Sequence, residues 1–167
     1  MKVSKGEGCG DLVSYTGIML KNMLGEQDFN IGGFHLWNEN ERMTSMMAPS
    51  LIEYSSGASL ATGSGGSNRI RTALLQVILN LTYFGMDVKN AVTSPRIHLE
   101  EDKLSVEAGF DPDVVGQLFA DWPNHETWPE HNLFFGGAHT VMRRGGEFRG
   151  IGDPRRGGVC RIVDGPS

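Results

Sequence analysis

The stretch LATGSGGSNRIRTALLQVILN, residues 60–80, sets an apolar lead-in and a glycine–serine turn before a long amphipathic run. Ile70, Leu74, Val77, Ile78 and Leu81 recur at i, i+4, i+7, i+8 and i+11, one stripe of a helix. The spacing predicts a helix over 68–84, with Ser67 or Asn68 at its start and Gly85 closing it. A turn of the form TGSGGSN ahead of such a helix presents backbone N–H groups at the positive helix end. Its glycines let another group come close to that backbone. Two readings fit: a plain strand-to-helix turn with a serine cap, or a seat for a phosphate, a carboxylate or a developing oxyanion. The lysine of a phosphate loop is missing, and no G-x-G-x-x-G with a βαβ unit surrounds the turn.

Working outward, APSLIEY (48–54) and ASLATGS (58–64) flank a short Ser-Ser-Gly turn and read as a hairpin. A short helix is predicted at 87–93, with Asp87 as its cap and Pro95 beyond its end. PRIHL (95–99) and KLSVEA (103–108) read as strands joined by the acidic turn Glu100–Asp102. Residues 111–122 read as a helix with Asp111 at the cap and Pro112 in the first turn. NHETWPEHN (124–132) reads as a loop, and AHTVMRR (138–144) and EFRGIG (147–152) as a hairpin about Gly145-Gly146. The segment 153–163 reads as a turn running into a final strand. Residues 1–16 read as a glycine-rich loop entering a short strand, and 25–43 as a long surface loop. Mixed strands and helices with mostly antiparallel pairing predict an α+β domain.

The bulk numbers limit the function. The 167 residues suit a domain with a real core, and 39% apolar with 21% charged residues is a globular balance. A net charge of −5 argues against a nucleic-acid partner. No apolar run is long enough for a membrane span, and MKVSKGEGCG has no apolar core of a signal peptide. The 23 glycines are about twice the usual ~7% share, so turns and close backbone approaches are expected. Cys9 and Cys160 have no zinc spacing; they stand as two free thiols or as one disulfide. His35, His98, His125, His131 and His139 form no metal motif, so no metal and no cofactor is expected.

Three other clusters carry polar chemistry. Glu26-Gln27-Asp28 is a solvated acidic turn or a grip on an ammonium group. Ser45 sits among Met43, Met46 and Met47, which read as core packing. Arg155 and Arg156 in DPRRGG read as an exposed basic turn.

Taken in order, GEGCG, TGIMLKNMLGEQDFN, RMTSMMAPSL, TGSGGSNRIRTALLQVILN, DVKNAVTSPRIH, LSVEAGF and GIGDPRRGG resemble the small subunit of the gamma-glutamyltransferase (gamma-glutamyltranspeptidase) family, from about residue 4 onward. The resemblance implies an N-terminal-nucleophile-hydrolase αββα sandwich and a precursor that cleaves itself into two subunits. It also implies a new N-terminal threonine that attacks the gamma-glutamyl amide of a donor such as glutathione, with water or an amine as acceptor. By resemblance Gly65 and Gly66 supply oxyanion-hole N–H groups. Ser45 is one of a pair of hydroxyls for the donor α-carboxylate; Met46 stands at the other, with Thr44 as substitute. Asp28 matches the acidic residue that holds the α-ammonium, supported by Glu26 or Gln27, and Arg42 stands at a basic position before the serine motif. Relatives often have a proline before the glycine pair; here the spacing to Arg69 also differs by one residue, so Ser67 shifts the register.

The family's nucleophile lies ahead of GEGCG, upstream of Met1, and Lys5 stands where an asparagine is usual. Residues 1–167 are therefore expected to form an incomplete small-subunit domain, without the first strands, and to be inactive alone. The expected partners are the large subunit and the first part of the small subunit, or a second copy of the chain, with a gamma-glutamyl compound as substrate. The alternative is a stand-alone relative without catalysis that binds gamma-glutamyl ligands or acts as an interaction domain. The compartment is left open: complete relatives are often periplasmic or extracellular.

Overall fold

The computed structural model describes residues 10–20, 22–26, 29–30 and 32–163. The chain forms two compact units, residues 1–47 and 48–167.

The first unit is largely irregular. A short hairpin pairs β1 (Leu12–Val13) with β2 (Ile18–Met19), and a 3-10 turn covers Met23–Gly25. Asn30 ties this turn to the chain around Trp37. It is buried; its amide donates to the carbonyls of Leu24 (2.9 Å) and Glu26 (2.8 Å), and its oxygen accepts from Trp37 Nε1 at 3.3 Å. With so little regular structure here, this side chain takes over the pairing that a ladder would give. Among the described residues of this unit, Met23 and Phe29 are the buried apolar ones. The methionines expected to pack as core are only half-buried.

The second unit holds two sheets. The first is antiparallel, ordered β3 (Ser50–Glu53), β4 (Ser59–Gly63), β8 (His139–Arg144), β9 (Glu147–Ile151). Both expected hairpins are there, and their glycines explain the turns. Gly57 has φ +81, and Gly145 and Gly146 have φ +58 and +88, conformations that a side chain disfavours. Between the central strands, Thr62 and Thr140 face each other and share a buried hydroxyl contact of 2.8 Å.

Helix α1 (Arg69–Thr82) follows β4. Ile70, Leu74, Val77 and Leu81 are buried as its stripe predicts; Ala73 joins them and Ile78 is half-buried. Gly85, at φ +65, turns the chain away beyond its end. Helix α2 (Val88–Thr93) is capped by Asp87, whose Oδ1 accepts from Asn90 N–H at 3.0 Å. α1 packs on β4 and α2 on β8 and β9, so the helices cover one face of this sheet.

The second sheet orders β5 (Ile97–Glu100), β6 (Lys103–Glu107) and β7 (His125–Trp128). β5 and β6 are antiparallel, as expected. β7 corrects the loop expected at 124–132: it lies parallel to β6, with Leu104 opposite His125 and Glu107 opposite Trp128. Helix α3 (Pro112–Asp121) is the crossover, capped by Asp111, whose carboxylate accepts from Asp113 N–H at 2.8 Å. The final strand expected in 153–163 does not form; a 3-10 turn at Pro154–Arg156 ends in left-handed Gly157. Among the described residues no helix is long and apolar enough to cross a membrane.

Candidate active site

The glycine–serine turn sits where β4 hands over to α1. Ser64 is buried, and its Oγ donates to the Gly65 carbonyl (2.9 Å) and accepts the Gly137 N–H (3.0 Å). A second glycine pair, Gly136-Gly137, therefore lies against the first. A Cβ on Gly136 would fall 2.6 Å from Ser64 Oγ and 3.0 Å from the Gly65 carbonyl oxygen. A Cβ on Gly66, which has φ +122, would fall 3.2 Å from Gly136 Cα. Only bare backbone fits on both sides of this contact.

The first turn of α1 is closed by Arg69 N–H to the Gly66 carbonyl and Ile70 N–H to the Ser67 carbonyl, both 3.0 Å. The expected Asn68 side-chain cap is not made. Ser67 is left-handed at φ +52, and Asn68, the residue at the cap position, makes no capping hydrogen bond. The Asn68 amide instead donates to Glu100, whose other oxygen lies 3.3 Å from His98 Nε2. His98 Nδ1 meets Thr72 Oγ1 at 2.8 Å, back on α1. This relay ties the turn and the helix to β5. Burial pushes the Glu100 carboxyl up, but the Asn68 and His98 hydrogen bonds and the charges of His98 and Arg69 outweigh it and hold it below its ordinary value.

Behind the turn lies a buried charge network that the amino-acid sequence does not announce. Arg155, expected on an exposed turn, has a fully buried side chain. Its Nε and Nη2 donate to Glu107 at 2.8 and 2.6 Å, and its Nη1 lies 3.3 Å from Asp153. Arg96 Nη2 donates to Asp153 at 2.7 Å and to the Val92 carbonyl at 3.0 Å. Arg96 Nη1 donates to the Phe135 carbonyl at 3.0 Å. Asp153 also accepts the Ala138 N–H at 2.8 Å. Two guanidinium groups and two carboxylates thus cancel in charge, and the network fastens α2, β6 and the segment around Gly136-Gly137. Burial pushes Asp153 up, but Arg96, the N–H groups of Ala138 and Arg155, and the Arg155 charge pull its pKa down further. Burial pushes Arg96 down despite Asp153; for Arg155 the Glu107 and Asp153 contacts outweigh burial and raise it.

Of the other expected site residues, Gln27 and Asp28 lie outside the described residues, as do Lys5 and Cys9. Glu26 is half-buried in the first unit, and its carbonyl accepts from the Asn30 amide and the Phe29 N–H (3.2 Å). Thr44 lines a cavity of about 260 Å³ with Phe29, Asn30, Leu36, Trp37 and Glu41. Ser45 is exposed, and its Oγ accepts the Met47 N–H at 3.1 Å. Gly65 and Gly66 belong to the second unit.

His139 pairs in register with Gly63, but its Nδ1 accepts the Asp153 N–H at 3.0 Å. Cys160 is a free, exposed thiol. A cavity of about 560 Å³ lies at the far end of α1, lined by Tyr54, Leu81, Met86, Met142, Arg144 and Arg149, away from the glycine turn. Among the described residues no cluster of His, Cys, Asp or Glu could hold a metal ion.

On an α+β frame with two sheets, the chain carries part of an N-terminal-nucleophile-hydrolase fold, the fold of the solved structures it superposes on. A solved gamma-glutamyltranspeptidase from Pseudomonas nitroreducens superposes on 94% of this chain and 88% of its own, with a TM-score of 0.74 and 24% identity. The gamma-glutamyltranspeptidase family model matches residues 4–163, and the chain belongs to that family. It is 33% identical over 127 residues to the glutathione hydrolase proenzyme of Escherichia coli, covering 68% of this chain and 22% of the relative. Against the Bacillus subtilis glutathione hydrolase proenzyme it is 30% identical over 156 residues, 92% of this chain and 26% of the relative. The chain thus spans about a quarter of the length of these curated relatives.

Proposed function

We propose that this chain supplies the oxyanion and donor-binding elements of a gamma-glutamyltransferase or glutathione hydrolase. In this reading the N–H groups of Gly65 and Gly66 stabilise the tetrahedral oxyanion. Ser45, with Thr44, holds the donor α-carboxylate. Asp28, aided by Glu26 or Gln27, holds the α-ammonium. A threonine on a segment outside these 167 residues attacks the gamma-glutamyl carbonyl, and the acyl group passes to water or an amine. A large subunit completes the site. What supports the reading is family membership together with one observation: the Gly65-Gly66 turn is pinned from behind by Ser64 and Gly136, so its backbone is fixed before any substrate arrives.

The test is turnover of a gamma-glutamyl 4-nitroanilide by the intact protein that contains this chain. Gly66→Ala would force Gly136 or the turn to move and should lower kcat by about 10²–10³-fold. Residues 1–167 purified alone should give no turnover. Wild-type rates in Gly66→Ala would remove the turn from the site, and serine-dependent turnover by residues 1–167 alone would remove the outside threonine.

A further inference from the structure

Arg156 is used quite differently from its neighbour. While Arg155 is engaged by Glu107 and Asp153, Arg156 is exposed and has no carboxylate partner among the described residues. Its position is nonetheless fixed. A Cβ on Gly137 would fall 2.6 Å from Arg156 Cδ, 2.9 Å from Cγ and 3.1 Å from Cβ, so the stem runs along bare backbone there. The guanidinium then spans the other glycine pair: Cζ, Nε and Nη1 lie 3.8 Å from a Cβ on Gly65, and Nη2 3.3 Å from one on Gly66. Nη2 donates to the Leu133 carbonyl at 3.1 Å. No other hydrogen bond of this guanidinium occurs within the described residues, which leaves Nε and Nη1 with donors to give. Gly137 and, less severely, Gly66 leave the room this cation occupies, while a Cβ on Gly65 would meet it only at ordinary contact distance.

We propose that Arg156 binds a substrate carboxylate on the amine side of the scissile amide. It would thereby select donors and acceptors whose amine partner is an amino acid or peptide with a carboxylate near the reacting nitrogen. This rests on the gamma-glutamyl-transfer reading above, which assigns the glutamyl α-carboxylate to Ser45 and Thr44. The amine-side carboxylate has no partner in that reading. A planar fork of donors suits a carboxylate, and its fixed stem removes much of the ordering cost.

The experiment compares two donors in the intact protein that contains this chain: gamma-glutamyl 4-nitroanilide and its 3-carboxy derivative, which differ by one carboxylate on the leaving amine. The quantity read is the ratio of their kcat/KM values in wild type, Arg156→Lys and Arg156→Gln, with thermal unfolding as the folding control. Wild type should favour the carboxylated donor. Arg156→Gln should cut the ratio about tenfold whatever it does to either rate, and Arg156→Lys should keep part of it. An unchanged ratio, including equal loss on both donors, overturns the proposal and leaves Arg156 as a prop for the turn. If wild type turns over neither donor, the transfer reading fails. The carboxylate claim is then decided by calorimetry with gamma-glutamylglycine and its C-terminal amide. A preference for the free acid that vanishes in Arg156→Gln sustains the proposal, and equal or absent binding refutes it.

Discussion

Replacing Asp153 by asparagine probes the buried charge network at its centre. The side chain keeps its volume but loses one of the two negative charges that balance the two guanidinium groups. Oδ2 accepts from Arg96 Nη2 and Ala138 N–H at 2.7 and 2.8 Å; Oδ1 accepts from Arg155 N–H at 3.0 Å and faces its Nη1 at 3.3 Å. Whichever oxygen becomes NH₂, it meets two donors and can accept from neither. Taking one partner from a buried pair costs about 3–5 kcal/mol, a large part of the ~5–15 kcal/mol that holds a domain together. With a urea slope of about 2 kcal/mol/M, the unfolding midpoint should fall by about 2 M. Fluorescence of Trp122 and Trp128, both in the second unit, reports it. The pH dependence fixes the sign. Because Asp153 has a depressed pKa when folded, its contribution is full above the ordinary carboxylate value of 3.8 and is lost as the pH falls through the folded value. The gap between wild type and Asp153→Asn should therefore narrow only in strong acid. A shift below about 0.5 M at neutral pH would refute the reasoning, because the two arginines would then be held without the carboxylate.

Other expected outcomes concern the turn, the sheet and the crossover helix. Gly136→Ala, at φ +80 and ψ −162 with its new Cβ 2.6 Å from Ser64 Oγ, should cost about 1–3 kcal/mol by urea unfolding and disable the turn; full stability and activity together would mean the glycine contact is unimportant. Thr62→Val removes one hydroxyl of the buried pair with Thr140 and should cost about 1 kcal/mol, with near-zero change counting against it. Asp111→Ala removes the cap of α3, a helix with no buried residue, so amide exchange should quicken across 112–121 and not in α1; uniform quickening would contradict a locally held helix.

Much of the fold is legible in the sequence because its signals are local. The stripe of α1, the caps Asp87 and Asp111, and the positive-φ glycines of both hairpins are each set within a few residues. β7 is not legible: HETW lacks an apolar run and becomes a strand only by pairing in parallel with β6. Arg155 misleads because an arginine in a turn is usually exposed. The available clue is Glu107, a carboxylate that follows Leu104 and Val106 at the end of the strand KLSVE, where burial obliges it to find a cation. The same limit applies to the turn. GSGGSN suggests an anion seat, but FFGGAH, which supplies its back wall, carries no signal until the two glycine pairs meet. The missing Asn68 cap has a tertiary cause as well: Glu100, on another element, takes the Asn68 amide.

The contact of Ser64 with Gly137 spans 73 positions, and those of Arg96 with Asp153 and Arg155 with Glu107 span 57 and 48. Each joins segments that are far apart on the chain, so the loop entropy is lost before the contact offsets it. Helices and hairpins can form while the turn still has no back wall. The glycine turn would then be among the last parts of the molecule to take its final shape, and a chain halted before residue 153 would hold Glu107 and Arg96 without Arg155 and Asp153, the partners that complete their network.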